Sequence, residues 1–242
     1  MAKRAGLSMG FYIGGYDLSG DASGIDTLSG ARATLPTTGI NKSSMERAYG
    51  RGDGEISWST WFNDAAGQEH SALKGLPTSD VLVIVDTGGS AGDPAAMLLG
   101  KQINYDWSRP GDGSLAGSIQ ALNNGVPLEW GETIIALSTI TAAGQSTSQD
   151  NGGSSTAGAA VMFMCTAFSG TNYTGTVQDS SDDTTFATLI AMTQITAVNQ
   201  AERKTVTGTV DRYTRVDHAG TFTSVDVIFV LRRGDANDIP AY

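Results

Sequence analysis

Apolar and polar residues alternate in short runs over the first 140 positions, and the runs are separated by turn residues. Met9–Ile13 is rich in β-formers, and Ala31–Leu35 alternates up to Pro36, which disfavours a central strand beyond it. Gly54–Phe62 puts Ile56, Trp58 and Thr60 on one face at period two. The Val/Ile run of Asp80–Thr87 predicts a buried strand. One helix is expected near Asp64–Leu76, capped by Asn63 or Asp64. It would carry Ala66, His70, Leu73 and Leu76 on one side and end at Gly75 and Pro77.

Residues 142–158 are rich in Ser, Gly, Thr and Gln and read as a linker or long loop. Beyond them the alternation resumes. Strands are expected at Ala159–Phe168, Tyr173–Asp179, Thr185–Leu189, Lys204–Thr209, Arg212–Val216 and Thr221–Leu231. Val225, Val227, Phe229 and Leu231 share one face, and Asp217–Gly220 reads as a turn. The expected organisation is a β-domain over 1–141, the linker over 142–158, and a second β-sandwich over 159–242. The fold class is mainly β with one flanking helix.

The stretch INYDWSRPGDGSLAGSIQALNNG gathers Asn104, Asp106, Asp112, Asn123 and Asn124, and raises the question of a metal or catalytic site. Strand parity disperses them. If Lys101–Trp107 and Ser114–Leu122 are strands joined by a turn at Pro110–Gly113, then Lys101, Ile103, Tyr105 and Trp107 lie on one face. Gln102, Asn104 and Asp106 lie on the other. Leu115, Gly117, Ile119 and Ala121 alternate likewise with Ser114, Ala116, Ser118 and Gln120. The stretch thus reads as a hairpin with one apolar face and one small polar face.

Composition narrows the function. The 242 residues include 31 glycines and a single cysteine, Cys165, expected in a buried strand, so no disulfide framework is possible. The formal net charge of −10 argues against tight nucleic-acid binding, which needs Lys and Arg to release counterions. No apolar run spans a bilayer, and Lys3 and Arg4 are followed by no apolar stretch of the kind a secretory signal needs.

Catalytic and metal motifs are weak. Gly88–Gly92 matches G-x-S-x-G with Ser90 at its centre and His218 downstream, but the β–α alternation of a hydrolase is missing. His70 reads as a helix-face residue and His218 as a turn residue. Asp179–Asp183 and Asp150 lack calcium-loop spacing. Arg51–Asp53 is an RGD triplet in an expected hairpin turn. The expectation is no enzymatic activity, no cofactor and no metal.

Several short motifs in order carry a resemblance. They are Gly15–Asp21 with Ile25 and Asp26, Phe62 and Asn63, His70 ahead of Leu76 and Pro77, and Asp93–Ala96. Lys101–Asp106, Arg109, Asp112–Leu115 and Leu128–Gly131 follow. Over residues 8 to about 135 the chain resembles the tail tube (major tail) proteins of long-tailed bacteriophages. Val177–Leu189 with Arg212–Val216 is similar to galactose-binding-like jelly-roll modules of phage virion proteins, in which end loops often bind sugars.

The first resemblance implies a virion structural protein, made in the host cytoplasm, whose copies close into rings, usually of six. Rings stack into a tube that conducts DNA without binding it, alongside other tail proteins and with no membrane role. It implies a lumen lined by Gln102, Asn104, Asp106, Ser114, Ser118 and Gln120, and lacking Lys and Arg. The second implies an alternative: a decoration or tail-tip protein that binds host surface glycans through its C-terminal sandwich.

Overall fold

The computed structural model describes residues 5–234; Lys3, Arg4 and the last eight positions of the expected second sandwich lie outside the described residues. The protein is mainly β, as its alternation predicts. Its first strands are β1 (Gly10–Ile13), β2 (Tyr16–Asp17) and β3 (Ala22–Ser29). A ribbon of β4 (Arg32–Pro36) and β5 (Arg47–Gly52) follows, then β6 (Glu55–Trp61) and the helix α1 (Glu69–Leu73). β7 (Val81–Asp86), β8 (Pro94–Gln102), β9 (Asp106–Ser108), β10 (Ala116–Asn123) and β11 (Glu129–Ile140) complete the first region.

These strands pair in the order β3-β6-β10-β8-β7-β1, all antiparallel, with β2 on β1 and β9 on β10. The sheet curls around Phe11, Leu18, Ile56, Trp58, Leu73, Val83, Leu98 and Ile119. β7 is buried along its whole length, and parity divides it: Val81, Val83 and Val85 enter this core, while Leu82 and Ile84 face a second layer. The alternation in β6 is as expected, with Ile56, Trp58 and Thr60 buried.

The helix is shorter than expected, because its N-terminus is held from outside. The carboxylate of Asp21, not a residue of the preceding turn, accepts the Glu69 N–H at 3.0 Å. Asn63 Nδ2 donates to the other oxygen of Asp21 at 2.8 Å. Residues 63–68 are therefore spent on a turn rather than on helix.

The C-terminal region holds β12 (Gly144–Gln145), β13 (Gln149–Asp150), β14 (Ala159–Ser180), β15 (Ala187–Ala191), β16 (Gln200–Val206) and β17 (Tyr213–Arg233). Within 142–158, β12 and β13 pair with β17. The strands expected at Ala159–Phe168 and Tyr173–Asp179 are one strand of 22 residues, and those at Arg212–Val216 and Thr221–Leu231 are one of 21. The two pair with each other along their whole length.

Register shifts between Cys165 and Asn172 bend this ladder so that its two halves face each other. A Cβ on Gly170 would lie 2.5 Å from the Phe222 backbone, and one on Gly175 only 2.3 Å from the Phe229 ring, so both bend and closure need glycine. The result is a sandwich in which Phe163, Tyr173, Val177, Val216, Val227 and Phe229 fill the interior. Asp217–Gly220 is thus strand, not turn, because Gly144, Gln145, Gly175 and Thr176 pair with it on both sides.

β11 pairs with β8 on one side and β17 on the other, and so joins the two regions. Between them lie Tyr12, Leu82, Ile84, Met97, Met162, Met164, Ile228 and Val230. One ionic group closes this layer. Glu129 is buried and takes Arg203 Nε at 2.8 Å, Arg203 Nη2 at 2.9 Å and Arg232 Nη1 at 2.7 Å.

Candidate functional site

The Asn/Asp-rich stretch does form paired strands, but the expected parity fails in its first half. Ala121 pairs with Gln102, and Ser118 with Asp106, so three residues of the first strand stand against only two between these pairs. The extra residue reverses the alternation. Gln102 therefore turns to the core side, and its Nε2 donates to the Leu73 carbonyl at the end of α1 at 3.0 Å. Ile103 is left about half exposed.

Asn104 repairs the interrupted ladder. Its Oδ1 accepts the Gln120 N–H at 2.7 Å and its Nδ2 donates to the Ser118 carbonyl at 3.2 Å, two bonds a paired backbone would make. Asn104 Nδ2 also reaches Asp106 at 2.8 Å. Ser114 lies in the connecting loop, where its N–H and hydroxyl both bond Asp112 Oδ1. Asp106, Ser118 and Gln120 share the outward face, and the neighbouring strands extend it.

Ser118 stands opposite Ser59, and Gln120 opposite Ser57. Gln120 Nε2 donates to Glu55 at 2.6 Å, and Ser59 Oγ to Asp26 on β3 at 2.7 Å. The face thus runs from β9 across β10 and β6 to β3. Its side chains are mostly Ser, Thr, Gln, Asp and Glu, with Ala116 and Trp61 at one end and Leu122 at the other. None of the four strands contains Lys or Arg. Ser57, Ser59 and Asp26 escape a reading confined to one hairpin; the Ile56, Trp58, Thr60 alternation is the signal that places Glu55, Ser57 and Ser59 outside.

Beneath α1 lies a second polar group. Glu69 is buried, with one carboxylate oxygen on the Tyr105 hydroxyl at 3.3 Å and the other without a hydrogen-bond partner among the described residues. Burial pushes its pKa up to about 7, and the nearby Asp21 adds to the shift. His70 Nδ1 lies 2.8 Å from the same hydroxyl, within an aromatic group of Phe62, Tyr105 and Trp107.

The remaining motif residues are scattered. Ser90 N–H bonds Asp93 in a turn after β7. His218, expected in a solvated turn, is buried in the sandwich on β17, with Nδ1 2.8 Å from the Tyr173 hydroxyl. Burial holds its pKa below the ordinary histidine value. Asp182 accepts the N–H groups of Thr184 and Thr185, the turn-setting role its setting predicts. Arg51 and Gly52 end β5, and Asp53 links it to β6, so the RGD triplet is a strand junction and not a hairpin turn. Among the described residues no three His, Cys, Asp or Glu side chains gather as a metal site.

The β4–β5 ribbon stands apart. Among the described residues its strands pair only with each other, and every residue of β4 is exposed. Leu35, Ile40, Met45 and Tyr49 present apolar side chains to solvent.

No protein-family model matches the chain, and no curated protein shows significant similarity to it. Among solved structures, it is similar to the crystal structure of the phage SPP1 Dit protein, described as a paradigm of the hub adsorption apparatus in phages infecting Gram-positive bacteria. That similarity is 12% identity at a TM-score of 0.33, over 93% of this chain and 99% of the other. The chain is also similar to the phage p2 baseplate in its activated conformation with Sr, at 9% identity and a TM-score of 0.36, over 94% of this chain and 99% of the other. For the same baseplate with Ca the values are 10% and 0.36, over 95% and 99%.

Proposed function

We propose that this protein is a structural subunit of a bacteriophage tail, and that its copies close into rings that stack into a tube for the passage of DNA. The observation that carries the reading is the outward face of β9, β10, β6 and β3. It is broad and made mostly of small neutral and acidic side chains, its four strands contain no Lys or Arg, and Lys101 at its border on β8 is paired with Asp80 at 2.7 Å. Such a face is unsuited to holding phosphates, since DNA binding draws on cation-driven counterion release. It suits a wall past which DNA slides, with Asp106, Ser118 and Gln120 toward the lumen.

Two further features support the ring. Among the described residues β3 ends the strand order with one side unpaired, an edge that closure onto a neighbouring copy would protect. The β4–β5 ribbon, too slight to be stable alone, offers its apolar side chains to a copy in the same or the next ring.

The reading is tested by negative-stain microscopy of the purified chain, which should show annular particles or tubes with a central channel. Assembled wild-type particles should not retain duplex DNA at low salt. The double variant Ser59→Lys, Ser118→Lys should assemble alike but retain DNA in a salt-dependent way. Monodisperse monomers at high concentration, or wild-type particles that bind DNA tightly, would count against it.

A further inference from the structure

The sequence holds two Asn–Gly pairs, Asn124–Gly125 and Asn151–Gly152. Such a pair can deamidate without an enzyme. The backbone nitrogen of the glycine attacks the asparagine Cγ, and glycine, with no Cβ, leaves the approach open. The fold treats the two pairs differently. Asn151 is partly buried, and its Nδ2 donates to the Arg212 carbonyl at 2.8 Å and to Thr214 Oγ1 at 3.1 Å, so its amide is held against the start of β17. The Gly152 N–H is engaged too, on Asp150 Oδ1 at 2.8 Å. Asn124 and Gly125 are both exposed, in the turn between β10 and β11. Among the described residues the Gly125 N–H makes no hydrogen bond, and the Asn124 amide is held by Asp80 Oδ1 alone, at 2.9 Å.

That one bond belongs to a tie between three segments. Lys101 Nζ on β8 pairs with Asp80 Oδ1 at 2.7 Å and donates to the Thr78 carbonyl at 2.6 Å. With Asn124 on the same Asp80 oxygen, the segment before β7, strand β8 and the β10–β11 turn are joined. An acid at 124 would present an oxygen to Asp80 in place of the Nδ2 donor, so that a hydrogen bond gives way to repulsion between like charges. The turn also adjoins the root of the ribbon, since the Asn123 N–H bonds the Gly54 carbonyl at 2.9 Å and the Gly54 N–H bonds Asn123 Oδ1 at 3.1 Å.

We propose that Asn124 is a self-modifying site, whose deamidation in the folded chain adds a negative charge beside Asp80 and unties the turn from the segment before β7. The Gly125 nitrogen forms a bond to Asn124 Cγ and gives up its proton to solvent. The Cγ–Nδ2 bond breaks, and Nδ2 leaves as ammonia. Water then opens the cyclic imide at either carbonyl, giving aspartate or isoaspartate. Nothing is oxidised or reduced, and water is the co-reactant. The inference does not depend on ring closure.

The full chain should be aged in mildly alkaline buffer and mapped by peptide mass spectrometry, with isoaspartyl methyltransferase to label isoaspartate. Conversion at 124 is expected to be at least about tenfold faster than at 151, a difference of roughly 1.4 kcal/mol in barrier. In urea, where both sites lose their partners, the two rates should converge. Asn124→Gln should remove the product at 124 and leave the slow conversion at 151 unchanged. Asn124→Asp, one of the two products, should speed amide hydrogen exchange over residues 78–81 several-fold while circular dichroism shows the fold kept. The proposal is overturned if 124 converts no faster than 151 in the folded chain, or if the same ratio persists in urea, which would make the neighbouring residues rather than the fold the cause. Unchanged exchange in folded Asn124→Asp would overturn the untying of the turn.

Discussion

The two regions solve the burial problem in opposite ways. The C-terminal sandwich takes two strands of more than 20 residues and bends them, so that one ladder supplies both of its sheets. Residues 159–165 of β14 are all buried, odd positions in the sandwich interior and Met162 and Met164 in the inter-region layer. The N-terminal region uses short strands around one core and leaves the opposite face of β9, β10, β6 and β3 to solvent. Among the described residues, β3 has no strand on its outer edge, and β4 and β5 form a separate two-stranded sheet. On the proposed reading, one region is complete as a monomer, whereas the other has surfaces that a neighbouring copy would use. The two regions meet in a layer closed by buried Glu129, and the N-terminal region is expected to depend on it for stability.

The largest effect should come from breaking that dependence. Glu129→Ala would strand Arg203, whose side chain is only 4% exposed, without its carboxylate. Loss of one partner of a buried pair costs about 3–5 kcal/mol. Urea unfolding should show a loss of that order, with the N-terminal Trp fluorescence moving to lower denaturant first. A loss under about 1 kcal/mol would show that the two regions stand independently.

A smaller effect should separate the regions by pH. Glu69 belongs to the N-terminal region, and its folded pKa of about 7 lies above the ordinary carboxylate value. Between these two values the unfolded chain releases a proton that the folded chain keeps, so stability falls as pH rises through that window and levels off above about 7. Glu69→Gln should flatten the slope and raise stability at pH 8 by roughly 2 kcal/mol. His218, in the sandwich, works in the opposite direction: its lowered pKa means stability falls as pH drops through the ordinary histidine value. Thermal melts of the wild type and Glu69→Gln across pH 5 to 8 would check the two signs; an unchanged slope in Glu69→Gln would remove the carboxylate from the account.

What was legible in the sequence follows from period. Strict alternation in Gly54–Phe62 and the Val/Ile run at Asp80–Thr87 gave the right faces, because burial on one or both sides leaves a direct trace. The bend in β14 left none that distinguishes it from a turn: Gly170 and Gly220 are turn residues by type, yet here they permit close approach within a continuous ladder. The parity of Gln102 was hidden for a similar reason. Asn104 replaces backbone bonds with side-chain bonds, and an inserted residue of that kind looks like ordinary strand. The capping of α1 by Asp21 is a contact across 48 positions, beyond any local pattern.

The smallest effect on the folded subunit should come from the ribbon, and its smallness is the point. Ile40 and Tyr49 are exposed, and among the described residues β4 and β5 pair only with each other. Replacing both by Ser removes no buried contact, so monomer stability should change by less than about 0.5 kcal/mol. If the ribbon is the arm by which an incomplete region reaches its neighbours, the same variant should lose rings or tubes by sedimentation and negative-stain microscopy while its melting curve stays in place. Retained assembly would move the contact elsewhere, to the β3 edge. A large loss of stability would mean that the ribbon already belongs to the fold of one subunit, and the contrast between a complete and an incomplete region would have to be redrawn.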